Sequence, residues 1–413
     1  MFDLAVIGAW AEFAIRWLHV ITAIAWIGSS FYFIALDLGL HRDRNLATGA
    51  DGEEWQVHGG GFYHIQKYLV APANMPDGLV WFKWESYATW LSGFALLAVV
   101  YYLGAEFYLV DPAVMDLSVP AAIAISMASL AFGWIVYNTL CKIFVEANQT
   151  LLMVALFGVL VGMSYFYTSV FSGRAALLHL GAFTATIMSA NVFMIIIPNQ
   201  KIVVADLIAG RKPNPQFGKI AKQRSTHNNY LTLPVIFLML SNHYPLAFAS
   251  QWNWVIAALV FLMGVTIRHF FNSQHARRGT PWWTWAATAI IFVLIMWLST
   301  APMWRDQPQQ AAHGPALRFA QAEGFDAARD IVLGRCSMCH AAEPGWEGLH
   351  WAPKGVVLET DHQIASHARA IYLQAGISHA MPPANLSFIE PQERAQIVAW
   401  YRNATGAGAP VVQ

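Results

Sequence analysis

The feature that most constrains this chain is a series of apolar stretches, each about as long as a helix needs to cross ~30 Å of hydrocarbon. Eight stand out, at about 12–38, 86–104, 119–140, 150–171, 174–197, 229–248, 252–271 and 282–302. Backbone polar groups in lipid must be satisfied within the segment, so helices are expected. Pro198 and Pro302 fall at segment ends, and Pro234 inside the sixth is expected to kink it. Trp10, Trp17, Trp252, Trp254, Trp282, Trp283 and Trp285 cluster at segment ends like an aromatic belt. Only 12% of the 413 residues are charged, about half the share in a soluble domain. That excludes a soluble enzyme and a disordered chain. With 24 Lys+Arg against 24 Asp+Glu, no basic excess points to nucleic acid.

The charges are unevenly placed. Residues 306–413 carry 17 of the 48 charged side chains but only 3 of the 18 Trp. This divides the chain into a membrane part, 1–302, a linker, 303–315, and a small soluble part, 316–413. The expected fold class is all-α: a polytopic bundle of about eight transmembrane helices followed by a class I-like cytochrome c domain.

The loops give an orientation. Arg42, Arg44, Lys67 and Lys83 follow segment one, and Lys142 follows segment three. Lys201, Arg211, Lys212, Lys219, Lys222 and Arg224 follow segment five, and Arg277 and Arg278 follow segment seven. The other side holds only Arg16, Arg174 and Arg305. Loops one, three, five and seven are therefore expected in the cytoplasm and both termini outside. No basic n-region or cleavage site precedes the first segment. Loops 41–84 and 199–228 are long, and long loops are often functional.

The tail contains Cys336-Ser337-Met338-Cys339-His340, the c-type haem attachment pattern. Two thiols form thioethers with the haem vinyl groups, and the adjacent His reaches the iron. Met381, before Pro382-Pro383, is a natural second axial ligand, and a His/Met pair raises the potential. Helices are expected over 324–335 and 391–404. A redox dithiol or half a zinc site is the competing reading of Cys-x-x-Cys. His350, His362, His367 and His379 are rival ligands read as surface residues. Haem c is attached outside the cytoplasm, which agrees with the loop charges.

Five further histidines lie in or next to the segments, where ionisable groups are costly and commonly functional. His19, His179 and His243 fall toward the outer side, and His269 and His227 toward the inner side, with His64 or His58 near them. Imidazoles on facing helices can hold haem b, and one or two such haems would carry electrons across the membrane. Against this stands the reading of each as a hydrogen-bonded packing residue, a tight interhelical contact or a loop residue. Cys141 is alone and reads as inert.

The first segment, Arg16-Trp17-Leu18-His19-Val20-Ile21-Thr22-Ala23-Ile24-Ala25-Trp26-Ile27-Gly28, resembles the opening helix of haem-b-binding membrane families. Together with His58-Gly59-Gly60-Gly61-Phe62-Tyr63-His64-Ile65-Gln66-Lys67, Trp81-Phe82-Lys83-Trp84-Glu85, Ile197-Pro198-Asn199-Gln200 and the C-terminal haem motif, the whole chain resembles the bacterial membrane-bound urate oxidases. These are integral-membrane domains fused to a cytochrome c. The resemblance implies oxidation of urate to 5-hydroxyisourate, with electrons leaving through the cytochrome rather than forming peroxide.

A planar anion such as urate wants a cation, amide edges and an aromatic face. Gln66, Lys67, Trp84, Asn199, Gln200 and Arg224 are the expected substrate-binding residues, with Lys83 for charge and His64 or Glu85 as proton acceptor. Urate would enter from the cytoplasm of a bacterial inner membrane. The haem c would pass electrons to a soluble cytochrome c or a terminal oxidase in the periplasm. The rival readings are a quinol-to-cytochrome c carrier, using another small reductant, and a non-enzymatic anchor for a cytochrome c.

Overall fold

The computed structural model describes residues 4–43, 45–68, 78–112, 114–144, 148–300, 315–347, 349 and 351–406. The expected linker 303–315 lies outside them except for Pro315, as do Arg44, Pro302, Arg305 and His350.

The bundle begins with α1 (Leu4–Gly39), β1 (Ala50–His58), β2 (Gly61–Tyr68) and α2 (Trp84–Leu97), which continues as a π turn over Ala98–Tyr102. Next come α3 (Ala105–Tyr108), α4 (Val119–Ile143), α5 (Gln149–Val170) and α6 (Gly173–Ala190). A π segment, Asn191–Ile196, leads into α7 (Ile197–Ile208). Then follow α8 (Pro215–Ser241), α9 (Pro245–Phe248), α10 (Asn253–His275) and α11 (Trp283–Thr300). Side chains cap several starts. Asn148 accepts from the Thr150 and Leu151 amides at α5, and Ser172 accepts from the Ala175 amide at α6. The long helices run up and down.

Among the described residues, six helices are long and apolar enough to cross a membrane: Val6–Gly39, Val119–Ile143, Gln149–Val170, Gly173–Ile208, Asn253–His275 and Trp283–Thr300. The expected segment 86–104 is α2 with its π turn, residues 84–102, in which the 14-residue α-helix gives way to five residues of π turn, and it is not among the six. The expected segment 229–248 is the second half of the more polar α8, which ends at Ser241 before α9. Tyr137, Tyr167, Phe171, Phe183, Leu152, Leu156, Leu177 and Leu180 form the centre of the bundle core. Trp10, Trp17, Ile24 and Trp297 on α1 and α11 stay exposed, the inverse of a soluble protein and the surface lipid requires.

Three expectations are corrected. The fold is not strictly all-α. Loop 41–84 holds an antiparallel hairpin with Trp55 opposite His64 and His58 opposite Gly61. Gly59 and Gly60 both have positive φ, 59° and 79°, as a two-residue type I′ hairpin turn demands. Loop 199–228 is mostly helix. Pro198 does not end the fifth segment, because the preceding π segment loosens the turn and leaves proline in the first turn of α7, where its missing N–H costs little. Helix α8 already begins at Pro215, capped by Asn214.

Residues 315–406 form their own core. Helices α12 (Pro315–Ala320), α13 (Phe325–Arg335), α14 (Ser337–His340), α15 (Asp361–Ser366), α16 (Ala368–Ile371) and α17 (Pro391–Thr405) enclose Phe319, Phe325, Val332, Ile364, Ile397 and Trp400. The Trp400 indole donates to the Phe319 carbonyl at 2.9 Å. Phe107 of α3 packs against this core, its ring 5.8 Å from that of Phe319. The C-terminal unit therefore sits at the end of the bundle opposite the hairpin.

Close helix contacts depend on glycine. A Cβ on Gly133 of α4 would lie 2.5 Å from the Phe183 ring of α6, so no side chain fits. Gly133→Ala is expected to destabilise the bundle by about 1–3 kcal/mol through overpacking. A thermal melt in detergent checks this, and an unchanged midpoint contradicts it.

Candidate functional site

The hairpin end of the bundle concentrates buried polar groups. Helix α8 supplies Arg224, His227, Asn228 and Asn229 in succession, α4 supplies Tyr137 and Asn138, and the π segment opens with Asn191. Arg224 is 3% exposed, and no carboxylate pairs with it among the described residues. It donates instead to Asn138 Oδ1 at 2.9 Å and Asn191 Oδ1 at 3.3 Å. Its guanidinium lies over the Tyr137 ring, 4.9 Å from the centroid, and its Nε has no partner. Asn191 is the hub: its amide donates to the Tyr137 hydroxyl at 3.0 Å and to Asn228 Oδ1 at 2.9 Å. The Tyr137 oxygen lies 2.8 Å from His227 Nδ1. A hydroxyl both accepts and donates, so this contact takes the Tyr137 proton when His227 Nδ1 is unprotonated.

On the other side of α8 a second buried guanidinium repeats the pattern. Arg268 donates to Asn229 at 3.2 Å and to Asn272 at 2.9 Å, and stacks 4.1 Å above Phe31.

A cavity of about 1030 Å³ opens between α5, α8 and α10. At the hairpin end its wall is polar, with Gln149, Lys219, Gln223, Thr226, His227 and Tyr230; deeper, Leu156, Leu160, Phe261 and Val265 line it. His227 thus belongs both to the polar cage and to the cavity wall. Lys222, at the rim, is held 3.0 Å from Asp37 of α1, and Lys67 of the hairpin binds the same carboxylate.

The expected substrate residues do not converge. His64 is 2.7 Å from Glu53 and stacks on Trp55 at 4.2 Å within the hairpin. Gln66 accepts from the Tyr68 hydroxyl. Lys83 lies over Trp84 at 5.8 Å, and Trp84 is exposed. One oxygen of Glu85 is buried without a partner. Asn199 and Gln200 lie on α7, Gln200 exposed. Only Arg224 enters the buried cage, and it stands behind the cavity wall rather than in it.

The histidines separate by surroundings. His179 is fully buried. Its Nδ1 faces the Ala175 carbonyl at 2.8 Å and its Nε2 the Ser126 hydroxyl at 2.9 Å, so neither nitrogen is directed at an iron. His19 lies flat against Gly93, where a Cβ would be 2.8 Å from Cε1, with Nδ1 on the Thr89 carbonyl at 3.0 Å. It fills the α1–α2 contact. His243 is exposed just past α8. His269 is exposed and lines the same cavity as His227.

In the C-terminal unit the amides of Cys339 and His340 bond back to the Cys336 carbonyl at 3.1 and 2.9 Å. This single helical turn places the two thiols and the imidazole on one face. His340 Nδ1 donates to the Val356 carbonyl at 2.8 Å, so its Nε2 lone pair is left for a metal. Burial pushes the Cys336 thiol up to about 11, which makes it a neutral thiol in apolar surroundings. The Met381 segment is pinned by Arg394, which donates to the Met381 carbonyl at 2.9 Å and to Asn385 at 3.1 Å. Among the described residues no three His, Cys, Asp or Glu side chains converge as a metal site. Cys336, Cys339 and His340 on one turn are the donor types that a c-type haem would use.

Asn138, Tyr137, Asn191, Asn228 and the cavity residues Gln149, Gln223, Thr226 and Tyr230 were not among the residues singled out from sequence. The available signal was density of polarity: Arg224, His227, Asn228 and Asn229 fall together in a chain that otherwise avoids such groups.

The architecture of residues 4–300 defines a class, the polytopic helical bundle built of membrane-length helices. A family model described as urate oxidase N-terminal matches residues 5–299, and the chain belongs to that family. Comparison with curated proteins and with solved structures gave no match.

Asn191→Ala removes the acceptor of Arg224 and the donor of Tyr137 and Asn228 at once. The expected cost is about 1–3 kcal/mol for the groups left unpaired, read as a lower melting midpoint in detergent. A midpoint equal to wild type would contradict the hub role.

Proposed function

We propose that the protein is a membrane-bound, cytochrome-linked oxidase that converts urate to 5-hydroxyisourate. Within the family established above, the observation that carries this reading is the cavity whose polar end joins lysine, amide, hydroxyl and imidazole groups to apolar walls. A planar anion with alternating N–H and C=O edges needs that combination. Lys219 and Lys222 oppose the negative charge. Gln149, Gln223 and Thr226 address the ring edges. His227, on the same wall, would offer a ring N–H to a urate carbonyl.

The overall change is urate plus water to 5-hydroxyisourate, two protons and two electrons. The haem c fitted by Cys336, Cys339, His340 and Met381, when bound, supplies a one-electron acceptor. Arg394 keeps the Met381 segment in place, and the Val356 carbonyl fixes the His340 ring. The positive loops at the hairpin end support a cytoplasmic substrate entrance in a bacterial inner membrane. The C-terminal unit at the other end would then face the periplasm and pass electrons to a soluble cytochrome or terminal oxidase. The apolar depth of the cavity favours a second reading, a quinol donor feeding the same haem.

Stopped-flow mixing of the purified protein with urate, without oxygen, separates the two. Urate is expected to reduce the haem band. Reduction by quinol alone, with indifference to urate, overturns the reading. Lys219→Ala is expected to raise KM for urate by about tenfold, the value of one surface-lying ionic contact of ~1.4 kcal/mol, with covalent haem unaltered. Met381→Ala is expected to lower the haem potential while leaving the haem attached. Redox titration reads this, and an unchanged potential rules out Met381 as ligand.

A further inference from the structure

We propose that Tyr137 is a one-electron relay whose proton moves to His227, placed between the cavity and the exit toward the C-terminal unit. This rests on the redox reading above and goes beyond it by assigning the first step of electron departure to a side chain.

Tyr137 is 1% exposed, and its hydroxyl oxygen lies 2.8 Å from His227 Nδ1, in reach to donate to that nitrogen in the Nε2–H tautomer. A phenol that loses an electron becomes a strong acid, so oxidation in a dry site needs a base already in hydrogen-bond contact. His227 is that base. The Arg224 guanidinium, 4.9 Å from the ring centroid, makes a positively charged tyrosine costly, so electron and proton must leave together. Asn191, donating to the phenolic oxygen at 3.0 Å, remains as a partner for that oxygen once the proton has gone. His227 also lines the cavity, which puts the pair directly behind the substrate. Trp134 lies 6.2 Å from the Tyr137 ring. Ser129, eight residues back along α4 and ~12 Å toward the opposite end, accepts from the Tyr167 hydroxyl at 2.7 Å. The Tyr167 ring is 5.8 Å from His179, which is 5.7 Å from Tyr101. Two further tyrosines, Tyr167 and Tyr101, thus lie between the cage and the end where Phe107 meets Phe319.

The step balances. The Tyr137 O–H bond breaks, the proton passes to His227 Nδ1, and the electron would leave to a one-electron oxidant, the ferric haem that Cys336, Cys339 and His340 would hold. Urate returns one electron to the phenoxyl radical, and His227 returns the proton to the oxygen. Two such cycles remove the two electrons of one urate. The pair would convert a two-electron donor into the single electrons that a haem accepts.

The experiment uses the full-length holoprotein. It is mixed with a one-electron oxidant, hexachloroiridate(IV), without urate, and freeze-quenched for electron paramagnetic resonance. The expected result is a tyrosyl signal that narrows with ring-deuterated tyrosine and is lost in Tyr137→Phe. 3-Fluorotyrosine at position 137 keeps the hydroxyl and the fold, and should add fluorine splitting to the signal. His227→Gln should lower the radical yield by about tenfold or more. With urate, Tyr137→Phe should slow haem reduction about tenfold or more, a larger factor than any change in urate Kd read by equilibrium dialysis. A radical of equal intensity in Tyr137→Phe, or no fluorine splitting, overturns the proposal. Because the oxidant arm contains no urate, failure of the urate reading leaves that result decisive on its own.

Discussion

A buried guanidinium without a carboxylate governs the hairpin end of this bundle. A charge placed there loses its water, and the loss must be offset by hydrogen bonds or by another charge. Arg224 meets the first condition with Asn138 and Asn191, and its face is covered by Tyr137. Those partners hold the Asn191 amide and the Tyr137 ring, and Tyr137 in turn lies 2.8 Å from the His227 imidazole at the cavity wall. Arg268, held by Asn229 and Asn272, brings a second uncompensated charge to the same end. An anionic ligand in the adjoining cavity would be drawn by a field that only weakly hydrated protein screens.

The two ends of the molecule divide the work by chemistry. The hairpin end has the polar cavity wall, the lysine-rich rim and the Asp37 carboxylate that ties Lys67 of the hairpin to Lys222 of α8. The opposite end carries the C-terminal unit, where one helical turn aligns Cys336, Cys339 and His340. Between them the core is packed with aromatic rings. On the proposed function, the length of the bundle would hold the substrate and the electron acceptor apart.

Much of this was legible in the sequence because the bilayer imposes it. Apolar length marked where the membrane helices run, and Cys336-x-x-Cys339-His340 marked the thiols that α14 brings to one face. The hairpin is encoded only by Gly59-Gly60, two adjacent glycines between alternating apolar and polar residues that specify a tight turn. Pro198 carries the signature of a helix end, because the π segment that accommodates it has no periodic signature. The cage was missed for a different reason. Tyr137 and Asn138 on α4, Asn191 after α6 and Arg224 on α8 are far apart in sequence, and only packing joins them. His179 and His19 drew attention as intramembrane histidines, yet each has its hydrogen bonds made locally, one to Ala175 and Ser126, the other to Thr89.

The account stands on urate delivering its electrons singly to the C-terminal haem. The direct measurement is an anaerobic redox balance: urate consumed, 5-hydroxyisourate formed and haem c reduced in one titration of the fully oxidised protein. It should give two haems reduced for each urate consumed, and no peroxide when air is admitted. Urate loss indifferent to the oxidation state of the haem, or peroxide formed in equal amount, would contradict it.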